Sequence, residues 1–241
     1  MGLANEIAAV LRRQLKCHVA WLPIANTFAL GDYGVFSHGV FTKLGNVQDL
    51  KVSFREATSP AAKIDFISDE TKVMNLVGDV AVDVIPEVAV NAKIKVEFQK
   101  ANAFLLRAKT VKVHEIQNVA QAMQALRDHP SWRRAYKLVA KVWIAERAAL
   151  LTTTAANTSV TLAGSVPALK QFGLGDVSAE LRVGTTRELG LQILGTTGVV
   201  GLGLVKHKIV GGAGYLTDDD GQAEASVDEL APEPELPADD V

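Results

Sequence analysis

The sequence of 241 residues contains a single cysteine, Cys17. One thiol excludes an internal disulfide, and it excludes a metal site built from several thiolates. Free cysteines are among the most often buried side chains, whereas an accessible thiol can carry a lipid or be oxidised. Cys17 therefore has two interpretations, a small buried hydrophobic residue or a candidate lipidation or redox site.

Long hydrophobic runs are also missing, although 48% of the residues are hydrophobic. No stretch approaches the roughly 18 consecutive apolar residues that a membrane-spanning helix requires. The charges of Arg12 and Arg13 follow the first apolar stretch, whereas a secretory signal carries its charges before it. The sequence therefore predicts neither a transmembrane helix nor a signal peptide, and it favours the cytoplasm.

The common motifs of catalytic and metal sites are absent from the sequence. The five histidines are scattered without HExxH spacing, and no GxxxxGK[ST] phosphate loop or GxSxG nucleophile turn occurs. The glycine-rich stretch at residues 198–207 does not have the GxGxxG order of a dinucleotide-binding turn. We therefore expect no metal, no cofactor and no enzymatic activity.

The net charge of -2 conceals a strong asymmetry. Residues 217–241 contain ten acidic side chains and no Lys or Arg, so the rest of the chain carries a formal charge of about +8. This tail is rich in proline and acidic residues and lacks aromatic ones, which is typical of disorder. Two roles stay open: a solubilising tail, or a tether that covers the basic body. In the second role it competes with anionic lipid, where each basic residue contributes ~1 kcal/mol.

Residues 5–17 have helical periodicity, with apolar side chains on one side and Arg12, Arg13 and Lys16 elsewhere. A helix docked on the core and a basic helix at a membrane surface both fit this pattern. On the second interpretation, the three basic residues contact lipid headgroups.

An alternation of apolar and polar residues runs without interruption through residues 76–98. Even positions are apolar or carry Gly78 or Pro86, and odd positions carry all the charges. This period of two predicts strands with one apolar and one polar face. The segment is several times longer than an average strand of about 5 or 6 residues. Because proline is poorly tolerated inside a central strand, we expect the segment to bend or reverse at Pro86.

A second alternation occupies residues 177–194, and the same two explanations apply to both segments. Each is either a hairpin in an antiparallel sheet with one buried face, or a hairpin stored in a soluble state that later opens into a membrane β-barrel. Barrel strands need about 9 to 11 residues, which is the length of each arm around Pro86. On the barrel explanation the following side chains face lipid: Val80, Val82, Val84, Val88, Val90, Ile94, Val96, Val177, Leu181, Val183, Leu189, Leu191 and Ile193.

Most of the remaining sequence has β-type patterns. Residues 18–54 contain short runs separated by glycine turns, and residues 100–113 continue in the same style. Residues 53–72 are less regular. Residues 136–154 are ambiguous between helix and strand, because β-branched residues and alanines are mixed there. The predicted fold class is α+β, a twisted and mostly antiparallel sheet with flanking helices and long amphipathic hairpins.

Helical spacing returns at residues 114–129, and we expect a further helical turn after Pro130. The basic residues Arg133, Arg134 and Lys137 follow, together with Trp132 and Tyr136. This cluster fits a solvated helix end with a tryptophan anchor, or a contact with lipid headgroups, where Trp, Tyr and Arg are favoured. It is short and isolated, so we expect no nucleic-acid partner.

The order of these segments resembles the pore-forming domain of the gasdermins, in particular the short bacterial members. The resemblance rests on the amino-terminal helix, the WLPI segment, FQKANAFLLRAKTVKVHEIQNV, SWRRAYKLVAKVWIAERAALL and the two alternating hairpins. Residues 136–151 are similar to the strand that precedes the second insertion hairpin in that family.

The resemblance implies a pore-forming domain at residues 1–216, followed by the acidic tail at residues 217–241. It implies an autoinhibited cytoplasmic monomer that binds anionic lipid, assembles with copies of itself at the inner membrane and forms pores that kill the cell. An activating protease is a further expected partner. The alternative is a non-catalytic β-rich scaffold that uses the acidic tail as a docking peptide.

Overall fold

The computed structural model describes residues 3–20, 23–37, 39–174, 181–185, 189–207 and 213–215. Two features singled out in the sequence, Val177 and the acidic tail, lie outside the described residues. Within the described ranges, no helix is both long enough and apolar enough to cross a membrane.

The described residues form three helices and fourteen strands. The helices are α1 (Leu3–Leu15), α2 (Val119–Arg127) and α3 (Val166–Leu174). The strands are β1 (His18–Val19), β2 (Asp32–Ser37), β3 (Val40–Asn46), β4 (Glu56–Thr58), β5 (Ala62–Ile67), β6 (Thr71–Val77), β7 (Val80–Val82), β8 (Ala92–Phe98), β9 (Phe104–Ile116), β10 (Lys137–Thr153), β11 (Thr158–Ala163), β12 (Arg182–Thr185), β13 (Leu189–His207) and β14 (Ala213–Tyr215). The predicted α+β class with a mostly antiparallel sheet is confirmed.

The larger sheet is built around β10, which pairs with β13 along one edge and with β9 along the other. The hairpin of β2 and β3 joins at the beginning of β10, and β4 and β5 pair with the free edge of β9. Strands β1 and β14 pair with the free edge of β13. The β-branched residues of β10, such as Val139, Val142 and Ile144, pack in the core beneath this sheet.

The smaller sheet has the strand order β12, β11, β8, β6, β7. Its two faces follow the alternation in β8, where Ile94, Val96 and Phe98 are buried. Lys95 and Glu97 point to the opposite face and form an ion pair with an Nζ to Oε1 distance of 2.6 Å. The sheet therefore has one apolar face and one charged face, as the period of two predicts.

Three apolar clusters fill the interior along β10. Around its first half, Leu138 packs with α2 and the β2–β3 hairpin. In its second half the two sheet faces are covered by different elements. Leu150 packs with Ile7 and Leu11 of α1, whereas Leu151 packs with Phe172 of α3 and the inner face of the smaller sheet.

The structure resolves the ambiguity at residues 136–154, which form β10. The predicted helices at residues 5–17 and 114–129 correspond to α1 and α2. The helical turn expected after Pro130 is wrong. Isolated turns occupy that stretch instead, closed by hydrogen bonds from Trp132 N to His129 O and from Tyr136 N to Arg133 O, each 3.0 Å long.

Two other regions were not predicted. Strands β4 and β5 lie within the irregular residues 53–72, and only Ile64 of β5 is buried, so an apolar alternation is hardly visible there. Helix α3 begins at Val166 and carries Pro167 in its first turn, where proline is tolerated. It is stabilised by tertiary burial of side chains such as Phe172 rather than by a strong helical pattern.

The first alternating segment reverses twice. Pro86 lies in a loop, so the expected interruption is present, but an earlier reversal at Gly78 was not expected. Gly78 adopts a φ of +63°, which glycine takes at little cost, and it turns the chain from β6 into β7. As a consequence β8 pairs with β6, with Val96 opposite Val73.

Candidate membrane-contact site

The candidate site lies at one end of the smaller sheet, where the chain passes from β7 to β8. Val80 lies opposite Val77 and Val82 lies opposite Asn75. Directly opposite residues share a face in an antiparallel pair, so both valines continue the apolar face. Val82 packs against the core, whereas Val80 projects past its end and is exposed.

Residues 80–91 form what we call the valine loop. Four of its valines are largely exposed: Val80 at 67%, Val84 at 71%, Val88 at 90% and Val90 at 75%. Elsewhere in the described chain the most exposed large hydrophobic residue is Leu44, at 51%. Single exposed apolar side chains are ordinary on a protein surface, but several on one loop indicate an interaction site.

The valine loop is anchored to the body of the protein. Ile85 is 3% exposed and packs in the cluster beneath the smaller sheet, with Ala89 against the same cluster. Asn75 Nδ2 donates a hydrogen bond to the carbonyl oxygen of Asp83 at 2.9 Å, and Ala89 N donates to Pro86 O at 3.2 Å. Because these contacts fix the backbone, the exposed valines are held outward.

The charged side chains of the loop region are carboxylates. Asp79, Asp83 and Glu87 are exposed and interleave with the valines. Lys170 of α3 approaches Glu87, with Nζ 3.4 Å from Oε1. The valine loop itself carries no positive charge, so attraction to anionic lipid would have to come from basic side chains elsewhere on the chain.

The structure separates the lipid-facing residues predicted from the first segment into two groups. Val80, Val84, Val88 and Val90 are exposed on the valine loop, whereas Ile94 and Val96 are buried, at 1% and 0% exposure, and Val82 is half-buried. In this conformation the even positions therefore do not form one continuous exposed stripe, and their contact with lipid stays a prediction. Because the chain reverses twice, most side chains at even positions of the loop are exposed to solvent, whereas those at even positions of β8 are buried in the core.

The residues predicted from the second segment do not join the valine loop on the surface. Leu181 is buried at 5% exposure and Val183 is half-buried, and both pack in the same cluster as Ile85. Ile193 is half-buried in the cluster beneath α1. Leu189 and Leu191 belong to β13, but their side chains lie outside the described part, as does Val177.

The predicted headgroup residues lie in two other places. Arg13 and Lys16 are exposed at the end of α1, beside the half-buried Arg12. Arg133 and Arg134 are exposed before β10, and Lys137 is half-buried at its first position. Lys137 lies fourteen residues along β10 from Leu151, which packs in the same cluster as Ile85, and at ~3.3 Å per residue this separates the second group from the valine loop end by roughly 46 Å. The predicted groups therefore do not form one compact site.

Comparison with solved structures gives a match to a bacterial gasdermin from Bradyrhizobium tropiciagri. The two chains are 14% identical, the match covers 88% of this chain and 90% of that chain, and the TM-score is 0.38. The chain is similar to a bacterial gasdermin. A scan against protein-family models finds no match, and a search of curated proteins finds none. The function proposed below rests on this chain's own residues.

Cys17 lies in the cluster beneath α1 and is 2% exposed. Burial raises the pKa of its thiol to about 12. A lipidating enzyme or an oxidant needs an accessible sulfur, and the reactive form is the thiolate. In this conformation the thiol offers neither, so the structure favours the buried hydrophobic residue over the candidate lipidation or redox site.

An aromatic cluster surrounds Trp132. Its ring centroid lies 5.6 Å from that of Tyr33, 5.7 Å from that of Tyr136 and 6.3 Å from that of His207. Burial lowers the pKa of His207, and nearby Arg127 lowers it further. Sequence reasoning joined only Trp132 and Tyr136, because no spacing signal connects them to residues 33 and 207. These rings pack against each other, and they hold the β2–β3 hairpin to the start of β10.

The described ranges contain no group of three His, Cys, Asp or Glu side chains arranged to hold a metal ion. The valine loop carries the four most exposed large hydrophobic side chains of the described residues.

Proposed function

We propose that this protein is a pore-forming cell-death effector that contacts a membrane through the valine loop. The observation that supports this function most is the exposure of four valines on a loop whose backbone is anchored by Ile85. Large apolar side chains held in water are unfavourable unless a partner removes them from water.

The energy available is sufficient for a membrane contact. Burying one valine completely contributes roughly 1.5 kcal/mol or more. Four valines that are two-thirds to nine-tenths exposed therefore contribute on the order of 5 kcal/mol for each molecule. A reversible contact of this strength is comparable with that of a single lipid anchor, so stable binding would need several copies or additional basic contacts.

Insertion would follow from the two faces of the smaller sheet. Its apolar face, with Ile94 and Val96, would exchange the protein core for lipid, and its charged face, with Lys93 and Lys95, would line water. An open sheet edge is not tolerated in lipid, so the inserted hairpins would have to close with those of other copies into an oligomeric β-barrel. Helix α3 covers the apolar face and would have to move away first.

The acidic tail supplies a means of keeping the monomer inactive. The body formed by residues 1–216 carries about +8 and the tail at residues 217–241 carries ten acidic side chains. Opposite charges on one chain attract, so the tail would cover basic side chains that otherwise meet anionic lipid. We infer that removal of the tail, for example by a protease, activates a soluble cytoplasmic form at the inner membrane.

The test is release of a trapped dye from lipid vesicles. A specific protease site is inserted after residue 216, and the same preparation is measured before and after cleavage on vesicles with and without anionic lipid. We expect leakage after cleavage, stronger on anionic vesicles. Valine loop variants Val88→Asp and Val90→Asp should abolish leakage, while Leu44→Asp, another exposed apolar position, should retain it.

The outcomes also distinguish the scaffold alternative. If the cleaved protein leaves vesicles sealed at every dose, the pore-forming function is wrong and an apolar docking surface for another protein is left. If Leu44→Asp abolishes leakage as completely as Val88→Asp, the valine loop has no special role in it.

A further inference from the structure

A cleft of about 530 Å³ lies where α2 meets the segment that follows β3. Residues 51–55 line one wall, and Asn118 with one side of α2 lines the other. The volume is within the range of about 300 to 1,000 Å³ that is usual for small-molecule sites. The lining includes no residue of the valine loop and none of the basic residues considered above for headgroup contact.

The cleft is preformed, because packing and hydrogen bonds fix its walls. Val52 and Ala122 are buried and pack in the cluster around the first half of β10. Arg55 N donates a hydrogen bond to Asn118 Oδ1 at 2.7 Å, and Gln117 N donates to Arg55 O at 2.8 Å. The backbone of residue 55 is thus joined to the beginning of α2 without use of the exposed Arg55 side chain.

The charged side chains of the lining, Lys51 and Arg55, are both positive, and no carboxylate lines the cleft. In the described part of the chain neither takes part in an ion pair. The acidic residues nearest to them in sequence are engaged elsewhere. Glu56 Oε1 pairs with His114 Nδ1, and Asp49 Oδ2 accepts a hydrogen bond of 3.2 Å from a backbone N–H at the end of β3. The cleft therefore keeps the positive charge of both side chains.

Lys51 occupies a backbone position that does not favour lysine. Its φ is +57°, in the left-handed region that glycine and asparagine adopt more readily. Lysine therefore brings no conformational advantage to this turn, and what it contributes is the ammonium group beside the cleft. Asparagine at this position would remove the charge while suiting the backbone.

We propose that the cleft binds a phosphate group between the ammonium of Lys51 and the guanidinium of Arg55. Arginine binds phosphate through two parallel hydrogen bonds, and lysine binds it as a point charge. Ser53 and Gln121 also line the cleft and can donate further hydrogen bonds. A phosphate monoester has a second pKa near 6, so at neutral pH its charge of about -2 matches the two cations better than one carboxylate does.

The phosphate group has two sources, a soluble phosphate compound and a phospholipid headgroup. The site goes beyond the proposed function, because it uses no residue of the valine loop and binds its ligand whether or not the chain forms pores.

Calorimetric titration of the full chain with pyrophosphate at low salt tests the site. We expect saturable binding to one site, and much weaker binding of acetate, which carries a single charge. Pyrophosphate should also raise the melting temperature, because a ligand that binds only the folded state stabilises it. Added salt should weaken the binding, since both cations are open to solvent.

Matched variants locate the site. Lys51→Asn and Arg55→Gln should each weaken pyrophosphate binding by about tenfold or more, since each removes a charge-assisted contact. Lys72→Gln is the control, because Lys72 is an exposed lysine of the smaller sheet far from α2 in sequence, and it should leave the affinity unchanged. The melting temperature without ligand shows that each variant is folded, and Lys51→Asn should not lower it.

Two results would overturn the proposal. One is the absence of saturable pyrophosphate binding by the folded native chain. The other is an equal loss of affinity in Lys72→Gln and Lys51→Asn, which would show general attraction to a positively charged protein and no defined site.

Two further probes distinguish the sources of the phosphate group. Inorganic phosphate represents a soluble compound, and glycerophosphoglycerol, a phosphodiester with a single charge, represents the headgroup of an anionic phospholipid. If the diester binds as well as inorganic phosphate and Lys51→Asn weakens binding to vesicles of anionic lipid, the site takes a headgroup. If only inorganic phosphate and pyrophosphate bind and vesicle binding is unchanged, it takes a soluble compound. Either result supports the cleft as a phosphate site, whereas failure of dye release alone would refute only the proposed function.

Discussion

Arg107 and Asp65 form an ion pair beneath α3, with Arg107 Nε donating to Asp65 Oδ1 at 2.8 Å. The side chain of Arg107 is 11% exposed and that of Asp65 is 34% exposed. The guanidinium carbon of Arg107 also lies 5.3 Å from the centre of the Phe172 ring. One charged side chain therefore connects β5 and β9 to the helix that covers the smaller sheet.

Replacing Arg107 by leucine should lower the free energy of unfolding by about 1 to 3 kcal/mol, because it removes a charge-assisted hydrogen bond and leaves Asp65 partly buried. Urea denaturation measures the change. Lys63→Ala is the control, since Lys63 Nζ lies 3.8 Å from Asp65 and is half exposed, and its loss should change stability by less than about 0.5 kcal/mol. Equal effects of the two variants would contradict an anchoring role for Arg107.

Ile85 and Val88 lie on the same loop, but truncation should reduce stability at Ile85 and hardly change it at Val88. Ile85→Ala should reduce the free energy of unfolding by about 2 to 4 kcal/mol, because it leaves a cavity in the core. Val88→Ala should change it by less than about 0.5 kcal/mol, because Val88 is 90% exposed. Thermal or urea unfolding measures both. A stability loss at Val88 as large as that at Ile85 would mean that the valines are packed rather than held outward.

Cys17 should make stability depend on pH in the alkaline range. Its folded-state pKa is raised to about 12 from an ordinary value of 9.0. Below pH 9 the thiol is neutral in both states, and above it the unfolded state gains stability by ionising. Native stability should therefore fall between pH 9 and 12 by up to about 1.4 kcal/mol per pH unit. Urea unfolding of the native chain and of Cys17→Ala at pH 8 to 10.5 measures this, and parallel slopes would contradict it.

Gly198 and Gly173 should tolerate alanine differently. A Cβ at Gly198 would meet the carbonyl oxygen of Ile24 at 2.1 Å, whereas a Cβ at Gly173 in α3 meets nothing within 4 Å. Gly198→Ala should destabilise the protein by about 1 to 3 kcal/mol through forced backbone shifts. Gly173→Ala should stabilise it by about 0.5 to 1 kcal/mol, since alanine restricts the unfolded chain. If both variants shift the melting temperature in the same direction, close contact with a neighbouring backbone is not the reason why β13 carries glycine at such positions.

The alternation at residues 76–98 illustrates what sequence could and could not predict. It correctly indicated strands, an interruption near Pro86 and a two-faced sheet. It did not predict the reversal at Gly78, because one glycine in an apolar pattern is compatible with a bulge, a turn or a close contact. That reversal determines which valines are exposed. The alternation alone therefore could not indicate that Val88 is exposed and Val96 is buried.

The membrane-contact role of the candidate residues stays a prediction. Four of the valines assigned to it are exposed on one loop, whereas the basic residues assigned to headgroups lie on other elements. Their separation depends on the position of Arg133 before β10 and of Leu151 near its end, at opposite ends of one strand. The spacing of residues within a segment predicts on which face of a strand or helix a side chain lies. It does not predict how far that side chain is from residues distant in the sequence.

By itself the sequence determined the predominance of strands, the two-faced character of the smaller sheet and the charge difference between body and tail, because periodicity and composition are local properties. Only the tertiary structure decided that Cys17 is buried and that Ile85 anchors the valine loop. Those facts depend on which distant segments pair and pack, and pairing is settled by the energy of the whole fold rather than by any one segment.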